Sequence, residues 1–318
     1  MPKLQCEDFS YPSADGRHKA AGCLYTVPGV PVRGVVQLSH GMCEYVQRYT
    51  HMAQFLAEHG FALAGNDHLG HGNTAAKTEY GHMADRDGRK FVLADLREMN
   101  ARLHRHFPGV PLFLLGHSMG SFFARWYAEC YPDTIDGLVL SGTAGPSAVN
   151  QLGYLLACVV AATHKPGYVS PLLVKMSFGS YCKRIENPQS PNAWLTRDEA
   201  AVKAYDADEK CGFAFSAASY REFLWVLCHV NRKKWSRSIR KELPILLYAG
   251  AEDPVGRYGA GVREVWARLG DAGVQDLSCQ IYEDGRHEMH NELNKQEVFE
   301  DLLAWLEEHL PQEKRKIV

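Results

Sequence analysis

Three side chains far apart in the chain have the types needed to open an acyl group: Ser118, Asp253 and His287. Ser118 sits in Gly116-His117-Ser118-Met119-Gly120, directly after the apolar run Pro111-Leu112-Phe113-Leu114-Leu115. This is the G-x-S-x-G spacing between a buried strand and a helix. The context predicts a sharp turn that lifts the hydroxyl above a sheet edge, with flanking glycines because side chains there would strike the adjacent strand and helix. A serine hydroxyl is a weak nucleophile until a base takes its proton. Candidate partners follow two later strands. Ala249-Gly250-Ala251-Glu252-Asp253-Pro254-Val255 offers Asp253, with Glu252 as a rival and a helix-cap role as the alternative for Asp253. Tyr282-Glu283-Asp284-Gly285-Arg286-His287-Glu288-Met289 offers His287, with His290 as a rival. The chain order Ser, Asp, His is the one expected for a serine at such an elbow, with the carboxylate holding the imidazole as general base and then general acid. Two N–H groups must hold the oxyanion: Met119, after the nucleophile, and Met42, just beyond His40-Gly41.

The elements that would position these groups are legible in order. Residues 4–10 and 19–27 read as a strand pair joined at Ala14-Asp15-Gly16, and 34–39, 61–66, 111–115, 135–141, 243–250 and 277–282 read as further strands. Helical spacing appears at Tyr45, Tyr49, Met52, Phe55 and Leu56, at Val92–Phe107, from Phe122, over 258–269, and from Val298 to Leu310. Strands alternating with helices predict an α/β class: a mostly parallel sheet covered on both faces, with loops for chemistry at the carboxyl ends of its strands. The rhythm stops at Gly142-Thr143-Ala144-Gly145-Pro146 and resumes near residue 237. Residues 144–236 therefore read as a mainly helical insertion into one core made of 1–143 and 237–318.

Composition narrows the setting. With 318 residues, 46% hydrophobic and 23% charged, the chain is ordinary globular material. A net charge of −2 gives no basic field for nucleic acid, and the terminal Lys314-Arg315-Lys316 reads as a solvated end. Acids near the N-terminus do not fit a signal peptide, and the longest apolar run, Leu152–Thr163, is too short to span a membrane. Nine scattered cysteines without a C-x-x-C pair predict reduced thiols in a cytoplasmic setting, and no zinc spacing is present. Asp67-His68-Leu69-Gly70-His71-Gly72 has potential metal ligands. A rigid loop whose polar side chains bond its own backbone is the simpler reading.

Taken together, the segments His40-Gly41-Met42-Cys43-Glu44-Tyr45-Val46-Gln47-Arg48-Tyr49, Asp67–Gly72, Gly116–Gly120, Asp253-Pro254-Val255 and Gly285-Arg286-His287-Glu288 resemble the α/β-hydrolase fold serine hydrolases of the monoacylglycerol lipase and lysophospholipase type. These are also grouped with serine aminopeptidases. The resemblance implies a Ser118–Asp253–His287 triad, no cofactor and a helical cap at 144–236. The family often has a histidine where Tyr45 stands, and the cap segments 194–198 and 205–208 look most like bacterial members named lysophospholipases. The implied substrate is a small-molecule ester or lipid with a medium or long acyl chain. Leu152–Thr163, Phe178, Phe213, Phe215, Phe223, Leu224 and Trp225 are candidates to line the acyl pocket. An apolar lid of this kind leaves room for transient contact with a lipid surface, although no basic amphipathic helix is present to anchor it. A thioesterase, an amidase or an aminopeptidase would use the same triad, and a non-catalytic binding protein would share the fold. For catalysis, the rate should rise through a pKa near ~6.5 as the imidazole loses its proton.

Overall fold

The computed structural model describes residues 3–311, so the basic stretch 314–316 lies outside the described residues. Eight strands form one sheet: β1 (Gln5–Pro12), β2 (Lys19–Thr26), β3 (Gly34–Ser39), β4 (Phe61–Asn66), β5 (Leu112–His117), β6 (Gly137–Ser141), β7 (Ile245–Gly250) and β8 (Leu277–Tyr282). Their spatial order is β1-β2-β4-β3-β5-β6-β7-β8. From β4 to β8 every pairing is parallel, whereas β2 runs antiparallel to both β1 and β4. Every residue of β3, β4, β5, β6 and β7 is buried, as strands covered on both faces require.

Two apolar layers do the covering. On one face, α1 (Thr50–Glu58) and α10 (Lys295–Glu308) pack Met52, Leu56, Val298, Leu302 and Leu306 against Val36, Leu38, Leu63 and Leu115. On the other, α2 (Gly88–His106), α3 (Met119–Cys130) and α9 (Ala260–Asp271) bring Val92, Leu96, Phe123, Val262 and Val265 against Leu112, Leu114, Leu138 and Leu247.

Two helices begin later than periodicity predicts. Tyr45 is extended (φ −157°, ψ 168°), Val46–Tyr49 make a single 3-10 turn, and α1 starts at Thr50. Asp67 Oδ1 takes the Val46 N–H at 2.9 Å, and Glu44 takes the Tyr49 hydroxyl at 2.8 Å, so tertiary partners claim this segment before a helix can. Likewise α9 starts at Ala260, because Arg257, Tyr258 and Gly259 all have positive φ (52°, 57° and 80°). Such a run cannot belong to a right-handed helix.

Between β6 and β7 lie five helices: α4 (Ala148–Thr163), α5 (Pro171–Phe178), α6 (Glu199–Ala207), α7 (Ala217–Val230) and α8 (Lys233–Ser238). Four start with an N-cap side chain that accepts a backbone N–H: Ser147, Ser170, Asp198 and Ser216. α4 packs on α7, and α7 packs on α3 and α2, so the insertion rests on the helix that follows Ser118. Among the described residues no helix is long and apolar enough to cross a membrane.

Candidate active site

Ser118 stands between β5 and α3 with φ 51° and ψ −120°, a conformation that non-glycine residues rarely adopt. Its N–H donates to the Ser141 carbonyl at 2.9 Å, and its own carbonyl accepts from the Ser121 hydroxyl at 2.6 Å. Close packing locks the strained turn. A Cβ on Gly120 would overlap the Ser39 carbonyl oxygen, and one on Gly116 would fall 2.5 Å from the Gly120 carbonyl oxygen. Met119 is the first residue of α3, so its N–H has no acceptor within the helix. The loop after β3 comes alongside: a Cβ on Gly41 would lie 3.3 Å from Ser118 Cβ. The Gly41 N–H is already taken by Glu44 Oε1 at 2.5 Å, whereas Met42 N–H has no backbone acceptor among the described loop residues.

The other two groups meet because β7 and β8 are parallel neighbours in a register that pairs Gly250 with Tyr282. Asp253 Oδ2 lies 3.0 Å from His287 Nδ1, although the N–H is angled off the oxygen. Asp253 is fully buried, and its Oδ1 accepts the Val255 N–H at 2.8 Å, so the carboxylate also shapes its own turn. The rivals are elsewhere: Glu252 is exposed, while His290 is buried and stacks on Tyr49 with ring centroids 4.1 Å apart. The His287 ring is flanked by Trp194 at 5.0 Å and His117 at 4.8 Å. His117 itself lies beside the Ser141 hydroxyl (3.2 Å). His287 Nε2 has no protein partner among the described residues, and His287 and Ser118 line the same cavity. Burial pushes the His287 imidazole down, but the Asp253 carboxylate, helped by Glu288 and Glu44, outweighs it and holds the pKa above its usual value.

Residues 30–294 match the family model described as "Serine aminopeptidase, S33". The chain belongs to the serine aminopeptidase S33 family. It is 29% identical over 286 residues to a monoacylglycerol lipase of Mycolicibacterium smegmatis, covering 89% of this chain and 91% of that one. It is 26% identical over 300 residues to the monoglyceride lipase of Homo sapiens, covering 92% and 88%. The crystal structure of a thermostable carboxyl esterase from Bacillus coagulans in complex with glycerol superposes with a TM-score of 0.90 at 28% identity, covering 97% of this chain and all of that one.

In this S33-family member the site opens into a cavity of about 590 Å3. Met42, Ser118, Met119 and His287 stand at one side, and Phe122, Phe178, Phe213, Phe223, Leu224 and Leu227 supply apolar wall. Four expected lining residues are therefore present: Phe178, Phe213, Phe223 and Leu224. Phe215 instead is fully buried beside Tyr220 and His71. Trp225 stacks on His229 and receives the Arg89 guanidinium, away from the cavity. One side of the 152–163 run faces outward. Leu152, Leu155 and Val159 are about 60% exposed, and only Gly153 of that run lines the cavity. The reason is packing: α4 lays Gly153 and Ala157 on α7 and so turns its opposite apolar face to solvent.

The sequence reading missed a buried ionic cluster that braces the site. Arg48 donates to both oxygens of Glu288, at 2.6 and 2.7 Å, and to Glu44 Oε2 at 2.7 Å. Glu44 in turn holds Gly41, and Glu288 follows His287, so one guanidinium ties the oxyanion-side loop to the histidine loop. Burial, only partly offset by Arg48, raises Glu44 to about 6. Glu288 is also buried, but the bidentate Arg48 contact overrides that and lowers it to about 2. Glu44, Glu288 and His290 sit close enough to share a metal ion, but the guanidinium already supplies the positive charge among these oxygens. The only foreshadowing was a Glu and an Arg at helical i, i+4 spacing. In the 67–72 loop, Asp67 takes the N–H groups of Val46 (2.9 Å) and Asn73 (2.7 Å), and the His68 and His71 rings pack against His40 with centroids 4.1 and 5.2 Å away.

Proposed function

We propose that the protein hydrolyses a medium- or long-chain monoacylglycerol or lysophospholipid through an acyl-enzyme on Ser118. The chain is a carboxylic ester hydrolase, and one observation supports this choice of substrate: an apolar-walled cavity of about 590 Å3 that starts at Ser118 and His287. That volume is within the roughly 300–1,000 Å3 of ligand pockets generally. The related lipases act as their names say on monoacylglycerols, and the Bacillus coagulans esterase was crystallised with glycerol. In this reading His287, oriented by Asp253, takes the Ser118 proton as the hydroxyl attacks the carbonyl. The Met42 and Met119 N–H groups hold the oxyanion, His287 protonates the leaving alcohol, and water cleaves the acyl-enzyme by the reverse steps. No cofactor enters any step.

Residues 144–236 act as a cap over this pocket. Its outer surface carries Leu152, Leu155, Val159 and Leu172, all exposed, with Lys165 and Lys175 nearby in the chain. Uncharged and apolar, α4 suits transient contact with a lipid surface from which the substrate is drawn. All nine cysteines are free, which fits a reducing, cytoplasmic setting.

The test is covalent labelling. The protein is incubated with a fluorophosphonate and its intact mass taken, beside Ser118→Ala. A single adduct absent from the variant supports an activated Ser118. Absence of labelling, even with a small phosphonylating reagent that needs no cap opening, would overturn the triad. Turnover of acyl esters from acetyl to decanoyl then addresses the pocket: a rate that falls steadily with length would remove the long-chain assignment. Faster cleavage of a naphthylamide or a thioester than of the matching ester would move the reaction to an amidase or thioesterase.

A further inference from the structure

At the far edge of the sheet from the elbow, a second group of reactive side chains meets on one face of the β1–β2 hairpin. The antiparallel register sets Asp8 opposite Cys23 and Cys6 opposite Tyr25. Residues opposite each other share a face, and so do residues two apart on one strand, so Cys6, Asp8, Cys23 and Tyr25 all project the same way. The two sulfurs and a carboxylate oxygen lie within 4.8 Å of one another. Cys6 Sγ and Asp8 Oδ1 are 3.7 Å apart.

We propose that Cys6, Cys23 and Asp8 bind one zinc ion, with water as the fourth ligand, and that the ion clips the edge strand β1 to β2. Zinc bonds of about 2.3 Å to sulfur and about 2.0–2.2 Å to oxygen place tetrahedral ligands some 3.5–3.8 Å apart. The present spacing reaches that arrangement by side-chain rotation alone. A set of two thiolates and one carboxylate is too soft for magnesium or calcium and suits zinc.

The charge around the cluster supports the same occupant. The only protein hydrogen bond to the Asp8 carboxylate among the described residues comes from the Cys6 thiol. The site thus gathers two thiols and a carboxylate, groups that are anionic when they ligate a metal. Binding is proton-balanced: the ion forms two Zn–S bonds, two S–H bonds break, and two protons leave to solvent. A C-x-x-C search cannot find the cluster, because the hairpin register, not sequence spacing, brings Cys23 to Cys6. β1 is an edge strand paired only with β2, and a metal clip there would restrain a strand otherwise open to pairing with another chain.

The experiment uses the full chain, kept reduced and stripped of metal, titrated with Co2+ and then competed with Zn2+. Wild type should show a thiolate-to-cobalt charge-transfer band and tetrahedral visible bands that saturate at one equivalent. Zinc should abolish them without further proton release, whereas zinc added directly to the metal-free protein should release two protons per ion. Cys6→Ser and Asp8→Asn change exposed side chains and leave the fold intact. Each should weaken binding by about tenfold or more, with Cys6→Ser also losing charge-transfer intensity, while ester turnover stays at the wild-type rate. A wild type without the band would overturn the proposal. A band unchanged in Cys6→Ser would do the same, since it would place the metal on other cysteines.

Discussion

Replacing Arg48 with methionine should cost about 4 kcal/mol of folding stability at neutral pH. The figure comes from the cluster's geometry. Arg48 makes three charge-assisted hydrogen bonds of 2.6–2.7 Å to two carboxylates whose side chains are 2% and 3% exposed. Removing one partner of such a buried pair costs about 3–5 kcal/mol, because the remaining charges have neither cation nor water. Loss of the guanidinium over the Tyr205 ring, 4.7 Å away, adds about 0.5–1 kcal/mol. The pH dependence should change sign. In the native protein Glu288 is depressed to about 2 from an ordinary 4.5, so it stabilises the fold above pH 4.5 and ceases to do so as pH falls through 2. Without Arg48 the folded carboxyl would sit above its unfolded value. It would then destabilise the fold above pH 4.5, and the deficit would shrink as pH falls from 7 towards 5. Urea unfolding of both proteins at several pH values measures this, and Arg48→Met/Glu288→Leu should recover part of the loss. A variant within about 1 kcal/mol of wild type at pH 7, or a deficit equal at pH 5 and 8, would refute the reasoning.

Other consequences are as direct. Because Asp253 and its acidic neighbours outweigh burial at His287, the acidic limb of kcat/KM should lie above the ordinary imidazole value of 6.5, and Asp253→Asn should move it down. The same raised pKa contributes stability that is full below 6.5 and lost as pH rises through the folded value, which thermal melts across pH 6–9 would register. Gly120→Ala places a methyl group into the Ser39 carbonyl and should cost about 3 kcal/mol or more, with fluorophosphonate labelling lost in whatever protein remains folded. Arg125 is buried without a carboxylate partner and lowered to about 9 by that burial. It donates to the Ala144 and Val230 carbonyls, where the chain enters and leaves the cap helices. Arg125→Met strands those carbonyls, should cost about 2–4 kcal/mol, and should make the 144–236 segment the first site cut in limited proteolysis.

What could be read from the sequence was whatever is contiguous. The elbow is legible because strand, turn and helix follow one another within 111–127 and the steric demand falls on the two glycines that flank Ser118, Gly116 and Gly120. Asp253 and His287 are legible because each closes a strong strand, and parallel pairing of β7 and β8 does the rest. The Arg48–Glu288 pair is not, because 240 residues separate its members and nothing local marks either as buried. Helix starts at Thr50 and Ala260 were misplaced for a similar reason. Asp67 and Glu44 capture the first segment from outside it, and three left-handed residues precede the second. For α4 the apolar run was plain, but a run that is apolar all round has no periodicity to say which side packs on α7.

The buried cluster also gives the 144–236 insertion two unlike halves. Segment 205–212 is bound to the loop that carries Met42: the Tyr205 hydroxyl and the Gly212 N–H both donate to the Cys43 carbonyl, at 3.1 and 3.2 Å. The Tyr45 hydroxyl donates to Asp208 at 2.6 Å, and Tyr205 lies under the Arg48 guanidinium. Tyr45 is thus a tie between the core and the 144–236 insertion. In contrast, α4 and α5 line the cavity with Val149, Gly153, Leu173 and Met176 and turn further apolar side chains to solvent. A rearrangement of 205–212 would pull on Cys43, and through Glu44 and Arg48 on Gly41 and the His287 loop. If residues 144–236 open as the proposed cap, these ties predict that 205–212 stays in place and that the α4–α5 end, which also presents the apolar surface, is the part that moves.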